Sequence, residues 1–324
     1  MKYPEEVEIR ARACLLFVRC EAADPPMPWR AVNNLFALAE NREIRGIGAL
    51  SDNWLCESMS DRRPAESFEL DGYALFERLL SEKAIAVLRG MALSRRLERE
   101  IYATGTDLFE VLPEETLEAV AQPPVLDLME DIVGPAVQLD SVSVIGVATG
   151  CEAGISWHRD PFGSVPRGSE FQKPLCFNLL IYLQDLDSVS GPLRIIPGSH
   201  RERFLMTERD RALAHKRERL LFAKSGDAVL LHNNVVHSRS PNLSAHDRLH
   251  VSVLYTLNLM RQHLTQSPML ERIIARIAEI GDRRMMRLFG RDESFWARNN
   301  CGFMSDEVET WLAWREADRA TRGS

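Results

Sequence analysis

Hydrophobic and polar positions follow different periods in three successive zones of the chain. Residues 1–135 carry mainly the spacing of amphipathic helices. In residues 136–260, short β-branched runs alternate with turns rich in Gly, Pro, Asn and Asp, as in an all-β sandwich or barrel. Residues 261–324 return to helical spacing. The pattern therefore predicts a mainly β core with helical additions at both ends.

The helical zones contain recognisable ends and faces. Ser81 precedes a run whose apolar residues recur at helical intervals, so we expect it to cap the N-terminus of an amphipathic helix. In the last zone, Ile273, Ile277 and Ile280 fall on one helical face. We expect that face to pack against the rest of the protein.

Six segments of the middle zone have the length and composition of β-strands. They are residues 139–148, 155–160, 175–183, 193–196, 228–231 and 248–257. Each is bounded by residues that favour turns. The regular spacing of these segments favours a barrel or a sandwich over a helical bundle.

Two of these strands have faces of different polarity, because side chains alternate between the two faces of a strand. The apolar faces consist of Phe177, Leu179, Ile181 and Leu183, and of Leu249, Val251, Val253 and Tyr255. The opposite faces are mixed and carry Asn178 on one strand and Arg248, His250 and Ser252 on the other. If helices cover the apolar faces, the mixed faces line a cavity inside a barrel. Exposure of the mixed faces to solvent explains the pattern equally well.

The composition fits a soluble globular protein and narrows the range of partners. Of the 324 residues, 45% are apolar and 27% are charged, which excludes a disordered or collagen-like chain. The net charge of −7 argues against nonspecific binding to nucleic acid or to an anionic membrane. We expect a small-molecule substrate, and the sequence does not define an oligomeric state.

Cysteine usage and the N-terminal segment indicate the compartment. The six cysteines are scattered without C-x-x-C pairs, so neither a zinc ribbon nor a disulfide framework is indicated. The apolar run from Ala13 to Val18 is too short for a signal peptide or a membrane span. We therefore expect a cytoplasmic protein with reduced thiols.

Two histidines and an aspartate have the spacing of a metal site. His158 and Asp160 end a predicted strand, where the i, i+2 spacing sends both side chains to one side. His237 follows another predicted strand and can supply a third ligand. Two imidazoles and one carboxylate leave coordination positions open, which suits non-haem Fe(II) and oxygen chemistry. A catalytic zinc ion takes similar ligands and stays open as an alternative, although the sequence has no H-E-x-x-H motif.

Arg248 adds a cation eleven residues after His237, on the mixed face of the last strand. A guanidinium group offers a rigid fork of donors that matches a carboxylate. Near an iron ion it can hold the distal carboxylate of a 2-oxo diacid. A lone arginine is more often a surface charge, but its combination with the three candidate ligands favours a site.

Four segments occur in an order and spacing that resemble a known family. They are Phe68–Leu75 with its Asp-Gly-Tyr, Val125–Pro135, Gly191–Arg201, and His237–Arg248 with its Pro-Asn turn. The sequence GPLRIIPGSHR of the third segment is the most specific of them. Over residues 66–260 the chain resembles the phytanoyl-CoA dioxygenase family of Fe(II)- and 2-oxoglutarate-dependent oxygenases.

The resemblance implies a double-stranded β-helix, a cupin-like jelly-roll barrel flanked by helices. It implies that Fe(II) is held by His158, Asp160 and His237. It further implies that Arg248 pairs with the C5 carboxylate of 2-oxoglutarate, with O2 as the other cosubstrate. Related halogenases have a small residue in place of Asp160, so its presence predicts hydroxylation or another oxidation.

Two positions depart from the family pattern and put secondary cosubstrate contacts in question. Val147 stands where relatives often have a lysine, on the strand before the H-x-D motif. Arg239 stands where a small hydroxyl residue usually follows the distal histidine by two positions. Asn178, polar on a largely apolar strand, is the expected substitute contact to the cosubstrate. His200 follows a Pro-Gly turn, and we expect it to be structural.

The expected activity is the hydroxylation of a C–H bond in a small organic substrate, with release of succinate and CO2. A catalytically silent jelly-roll binding module and a zinc-dependent hydrolase with the same triad are the alternatives. Four cations near the metal motifs indicate an anionic substrate, although ordinary surface solvation explains them as well. They are Arg159, Arg167, Lys173 and Arg239.

We expect three parts in the chain. Residues 1–65 form an N-terminal helical extension, and residues 66–260 form the dioxygenase domain, with its barrel at about 136–260. Residues 261–324 form a C-terminal helical extension that packs on the barrel.

Overall fold

The computed structural model describes residues 62–292, apart from 98, 105, 106, 136, 153 and 209, together with residues 307–322. The expected N-terminal extension, residues 1–65, therefore lies outside the described residues except for its last four. The described residues include the strands and helices predicted around the candidate site.

Helices precede and follow the β core. The helices are α1 (Pro64–Asp71), α2 (Glu82–Ser94), α3 (Leu108–Val111), α4 (Pro113–Val120), α5 (Pro123–Val133), α6 (Pro268–Glu279), α7 (Arg283–Leu288) and α8 (Glu307–Arg322). The strands are β1 (Tyr73–Phe76), β2 (Ile101–Thr104), β3 (Val137–Val147), β4 (Ile155–His158), β5 (Cys176–Tyr182), β6 (Leu193–Ile195), β7 (Arg219–Leu221), β8 (Ala228–His232), β9 (His237–Arg239) and β10 (Arg248–Leu257). Within this part of the chain, no helix combines the length and apolar character needed to cross a membrane.

Two antiparallel sheets form the core. The larger sheet has the strand order β1-β8-β5-β10-β3-β2, and the smaller has the order β4-β9-β6-β7. Many neighbouring strands are distant in sequence, as the winding of a jelly roll requires. The prediction of a mainly β jelly-roll core with helical additions is confirmed.

The six predicted strands are present, and β10 has the predicted bounds. Four further strands, β1, β2, β7 and β9, are not predicted by the sequence pattern and contain three or four residues each. Such short segments contain too few alternations to give a period. The family-like segment Phe68–Leu75 is divided between two elements, since Phe68–Asp71 belongs to α1 and β1 begins at Tyr73.

The apolar faces of β5 and β10 pack beneath the helices. Leu179 of β5 and Val253 of β10 lie in one hydrophobic core with Leu88 of α2. The mixed faces are also buried, since Arg248 is 3% exposed and His250 is 6% exposed. Asn178 and Ser252 on these faces are half-buried, so the mixed faces line the interior of the barrel and do not form a solvent-exposed surface.

Ser81 caps α2 as predicted. Its side-chain oxygen accepts a hydrogen bond from the backbone N–H of Ala84 at 3.2 Å. Glu118 of α4 accepts from the backbone N–H of Ser81 at 2.6 Å. The same junction therefore fixes the start of α2 and its position beside α4.

The C-terminal helix α6 packs on the core with a slightly different face from the predicted one. Its buried residues are Leu270, Ile274 and Ile277. Ile280 lies beyond the last residue of the helix and is exposed, so its predicted burial is wrong. The sequence keeps its helical spacing as far as Ile280, whereas the helix ends one residue earlier, at Glu279.

A buried network of charges joins α5, α7 and α8. Arg284 donates from Nε to Glu130 at 2.9 Å, and Arg287 donates to Asp318 at 2.5 Å. Nε of Arg315, on α8, lies 3.9 Å from the Glu130 carboxylate. Because an uncompensated buried charge is costly, these pairs hold the C-terminal helices against α5.

Gly146 of β3 lies beneath the ring of Tyr102 of β2, its partner across the strands. A Cβ atom at Gly146 would stand 2.1 Å from Cζ of the tyrosine. The ring is buried, and its hydroxyl donates to Asp247 at 2.7 Å. A side chain at position 146 therefore has to displace both the ring and its hydrogen bond.

We predict that Gly146→Ala lowers the free energy of unfolding by about 1–3 kcal/mol, because it overpacks a buried contact. The control is Gly90→Ala in α2, where an added Cβ has no heavy atom within 4 Å. That change should raise the free energy of unfolding by about 0.5–1 kcal/mol, because alanine is the better helix former. Urea denaturation of both variants provides the measurement. Equal effects of the two substitutions would contradict the described packing.

Candidate metal centre

The side chains of His158, Asp160 and His237 converge at one end of the smaller sheet. One potential ligand atom from each lies within 4.8 Å of those from the other two. His158 ends β4 and His237 begins β9, and the two residues pair across these antiparallel strands. Nε2 of His237 lies 3.7 Å from Oδ1 of Asp160. The pairing of two short strands therefore assembles the three residues that the sequence singles out.

Asp160 does not lie on the strand that the sequence predicts. β4 ends at His158, and the aspartate follows in a turn. Its backbone N–H donates to the carbonyl of Asn233 at 3.1 Å, and its carbonyl accepts from Gly163 at 2.9 Å. The prediction that His158 and Asp160 share one side of a strand is therefore wrong, because only His158 belongs to β4. The turn nevertheless brings the carboxylate to the histidines.

Both imidazoles are oriented by backbone carbonyl groups. Nδ1 of His158 lies 2.9 Å from the carbonyl oxygen of Ser156, and Nδ1 of His237 lies 3.1 Å from that of Val235. A carbonyl oxygen only accepts, so each Nδ1 carries the proton and each Nε2 keeps a lone pair for a metal ion. Burial, followed by the proximity of His237, lowers the pKa of His158 and favours its neutral form.

The Asp160 carboxylate is buried without a cationic side chain beside it. Its side chain is 8% exposed, and within the described residues it has no lysine or arginine partner. Nδ2 of Asn178 donates to its two oxygens at 3.4 and 3.3 Å. A buried carboxylate needs a compensating positive charge, and a divalent metal ion between the three ligands provides one. The donor set therefore fits a metal ion such as Fe(II).

Arg248 lies inside the barrel at the start of β10 and is almost fully buried. Its guanidinium lies over the ring of Tyr182, with Cζ 5.2 Å from the ring centre, and Nη2 lies 3.4 Å from the tyrosine hydroxyl. Nη1 lies 3.3 Å from Nδ1 of His250. Nε has no hydrogen-bond partner, and no carboxylate pairs with this guanidinium among the described residues. A buried cation in that state fits an anionic ligand.

Arg239 is a second buried guanidinium near Arg248. It ends β9, two residues after His237, and is 4% exposed. Its Nη1 donates to the carbonyl of Ser240 at 3.0 Å. Burial and the charge of Arg248 lower the pKa of Arg239 to about 10. Burial, Arg248 and Arg239 hold the pKa of His250 well below its usual value, so the two guanidiniums act on one neutral imidazole.

Val147 and Gly191 shape the surroundings of Arg248. Val147 of β3 pairs with Arg248 and is buried, so an apolar residue lies where relatives often have a lysine. Gly191 has a φ of +74°, and an added Cβ would lie 3.3 Å from Cδ of Arg248. This close approach gives the GPLRIIPGSHR segment a physical role, because a larger residue would push against the arginine.

Two further buried histidines, His200 and His232, lie outside the cluster of candidate ligands. Nε2 of His200 lies 2.9 Å from the carbonyl of Glu69 in α1, which agrees with the expected structural role. Nε2 of His232 lies 2.8 Å from the carbonyl of Gln172, and its Nδ1 accepts from the backbone of Asn234 at 3.0 Å. Both imidazoles therefore connect segments of the chain.

The four cations that indicated an anionic substrate lie in different environments. Arg167 and Lys173 are exposed, whereas Arg239 is buried near Arg248. Arg159 is half-buried and donates to the carbonyls of Ser199 and Phe204 at 3.3 and 3.4 Å. The four side chains therefore do not form one anion-binding cluster.

Two contacts at the site are not apparent from sequence patterns. Tyr182 is a core aromatic residue by its strand position, yet its ring and hydroxyl face Arg248. Ser252 is one of two small hydroxyl residues on β10, and its hydroxyl donates to Asn178 at 3.2 Å. The mixed polarity of the two strand faces is the signal that places these residues in the interior, but it does not define their partners.

Solved structures that are similar to this chain include HygX and SnoK. HygX from Streptomyces hygroscopicus, with nickel, 2-oxoglutarate and hygromycin B bound, matches with a TM-score of 0.52 at 18% identity, over 62% of this chain and 89% of HygX. HygX with nickel and 2-oxoglutarate gives 0.52 at 17% identity and the same coverage. SnoK, a non-heme alpha ketoglutarate dependent carbocyclase from nogalamycin biosynthesis, gives 0.47 at 18% identity, over 66% of this chain and 92% of SnoK. At this level of identity, the likeness to HygX shows the fold.

Sequence comparisons define the family. No curated protein sequence matches the chain. The sequence profile of the phytanoyl-CoA dioxygenase (PhyH) family matches residues 68–249, which is more than half of the chain and includes the three candidate metal ligands and Arg248. The chain therefore belongs to the phytanoyl-CoA dioxygenase (PhyH) family, which uses Fe(II), 2-oxoglutarate and O2.

Proposed function

We propose that the protein is an Fe(II)- and 2-oxoglutarate-dependent hydroxylase of a small organic substrate. One observation carries this proposal: the barrel holds a His-Asp-His ligand set together with a buried arginine that has no carboxylate partner among the described residues. A metal site alone fits many activities, whereas a metal site with a buried cation near it fits a chelating 2-oxo diacid.

The iron site is formed by His158, Asp160 and His237. When bound, Fe(II) and 2-oxoglutarate supply the oxidation chemistry: one oxygen atom of O2 enters succinate, CO2 is released, and the other oxygen atom converts a C–H bond into C–OH. The residues of the chain bind and orient the reactants and exclude water. The backbone carbonyls behind both imidazoles keep each Nε2 directed toward the ion.

The cosubstrate end of the site is formed by Arg248 and Arg239. We assign the distal carboxylate of 2-oxoglutarate to Arg248, whose Nε keeps a donor available for it. Arg239 contributes a second positive charge at a position where relatives usually carry a small hydroxyl residue. Val147 of β3 is apolar, so the second cation at this end of the site comes from β9.

Hydroxylation is proposed over halogenation because Asp160 supplies a carboxylate ligand where a chloride ion would otherwise bind. The proposed catalytic domain covers residues 66–260, and helices that precede and follow the barrel in the sequence share its hydrophobic core. The expectation of an anionic substrate now depends on Arg159, which lies between His158 and Asp160 in the sequence. Arg167 and Lys173 are exposed and do not support it.

A metabolite screen tests the proposed reaction. We expect a 2-oxoglutarate-dependent product that has gained one oxygen atom, together with succinate in equal amount. His237→Ala and Asp160→Ala should abolish substrate-dependent succinate formation, because each removes an iron ligand. His246→Ala is the control, since His246 is exposed and lies outside the ligand set. Undiminished succinate formation in the ligand variants would defeat the assignment.

Metal exchange separates the oxygenase from a zinc hydrolase. After removal of metal by a chelator, Fe(II) should restore activity and Zn(II) should not, because zinc has no redox chemistry. Restoration by Zn(II) would support the hydrolase. If the protein binds a small molecule without converting it, both with and without metal, the silent binding module would be supported instead.

Binding of the cosubstrate tests the two arginines. We predict that Arg248→Gln weakens anaerobic binding of 2-oxoglutarate by roughly tenfold or more, the scale of one lost charge-assisted hydrogen bond. Arg239→Gln should weaken it in the same direction, whereas Arg167→Gln, a change at an exposed residue, should not. Calorimetric titration of each variant measures the effect. In 2-oxopentanoate a methyl group replaces the distal carboxylate, so the arginine variants should bind it as the wild type does. Equal losses for both ligands would contradict the assignment.

A further inference from the structure

Asn178 of β5 lies between the candidate iron ligand Asp160 and Ser252 of β10. Its Nδ2 donates to the two carboxylate oxygens of Asp160 at 3.4 and 3.3 Å. The hydroxyl of Ser252 donates to its Oδ1 at 3.2 Å. These side chains therefore form a continuous series of hydrogen bonds from the larger sheet to the metal centre.

The strand register explains how Asn178 and Ser252 meet. Asn178 pairs with Leu254, and Ser252 pairs with Leu180, so the two polar residues are diagonal neighbours on one face of the β5–β10 pair. Both strands lie inside the six-stranded sheet, with a neighbour on each side. The amide is therefore attached to a rigid part of the barrel, whereas Asp160 lies in a turn.

The chemistry of the three groups fixes the direction of each hydrogen bond. An ionised carboxylate only accepts, so the NH2 group of the amide must face Asp160. The carbonyl oxygen of the amide then faces Ser252, which donates to it. Among the described residues, no other side chain donates a hydrogen bond to this carboxylate. The orientation of the carboxylate toward Nε2 of His237 therefore depends on this amide.

We propose that Asn178, held in place by Ser252, is a positioning residue that orients the Asp160 carboxylate toward the metal ion. This inference rests on the proposed function, because it takes Asp160 as an iron ligand. It also replaces the expected contact between Asn178 and the cosubstrate, since the amide nitrogen is directed at the aspartate. Hydrogen-bond partners of metal ligands commonly contribute tenfold or more to metal affinity.

Binding of Mn(II) to the full-length protein tests the proposal without turnover. Mn(II) is a divalent ion that accepts carboxylate and imidazole ligands, and the signal of the free ion in electron paramagnetic resonance reports the bound fraction. We expect Asn178→Ala to weaken Mn(II) binding by roughly tenfold or more. Ser252→Ala should weaken it by a smaller factor. The double variant should bind no more weakly than Asn178→Ala, because Ser252 acts through Asn178.

The matched control is Ser143→Ala. Ser143 of β3 pairs with Ser252 from the other side and is half-buried, but no hydrogen bond connects it to Asn178 among the described residues. Its variant should keep the wild-type affinity for Mn(II). Circular dichroism of the metal-free variants verifies that they are folded. A variant that loses affinity because it misfolds would have a changed spectrum.

The possible outcomes separate the two proposals. Wild-type affinity in Asn178→Ala, or additive losses in the double variant, would overturn the positioning role and leave the iron site intact. Absence of Mn(II) binding by the wild-type protein would overturn the proposed function and the positioning role together. If Asn178→Ala does not fold, Ser252→Ala tests the same series of contacts, and unchanged affinity in that variant overturns the proposal.

Discussion

The pairing of His158 with His237 across β4 and β9 is the contact on which the rest of the site depends. β9 has three residues, and β4 and β6 flank it in the smaller sheet. Ile195 of β6 pairs with His237, so the GPLRIIPGSHR segment supports the metal centre through the neighbouring strand. The same segment begins at Gly191, whose closeness to Arg248 also confines the cosubstrate end. One segment, which contains Gly191 and the strand β6, therefore contacts both functional ends of the barrel.

Opposite charges are buried at the two ends of the proposed site. Asp160 lies at the metal end, and Arg248 lies at the other end with Arg239 near it. Burial of a charge without a partner destabilises a fold, so these groups are costly in the ligand-free protein. A divalent cation and a dicarboxylate compensate them at the same time. The unpaired charges thus destabilise the ligand-free barrel, and binding of the two ligands removes this cost.

Sequence patterns predict the barrel and the ligand set because both leave strong signals. β10 has ten residues with clear alternation, and its bounds are predicted correctly. β9 has only three residues, too few to show a period, so the sequence does not predict it. The polarity of residues 155–160 does not show that β4 ends at His158, so the turn that carries Asp160 is not predicted either. The relation between Asn178 and Ser252 depends on the register of two strands 74 positions apart, and one sequence contains no signal for such a pair. The resemblance to a family names the residues, but the three-dimensional contacts define their partners.

The proposed site binds Fe(II) and 2-oxoglutarate together. The most direct measurement is anaerobic visible absorption spectroscopy of the metal-free protein during addition of Fe(II) and 2-oxoglutarate. Joint binding predicts a weak charge-transfer band that needs both additions, saturates at one Fe(II) per chain, and is missing in His237→Ala. No band in the folded wild-type protein, or an equal band in the variant, would contradict the account.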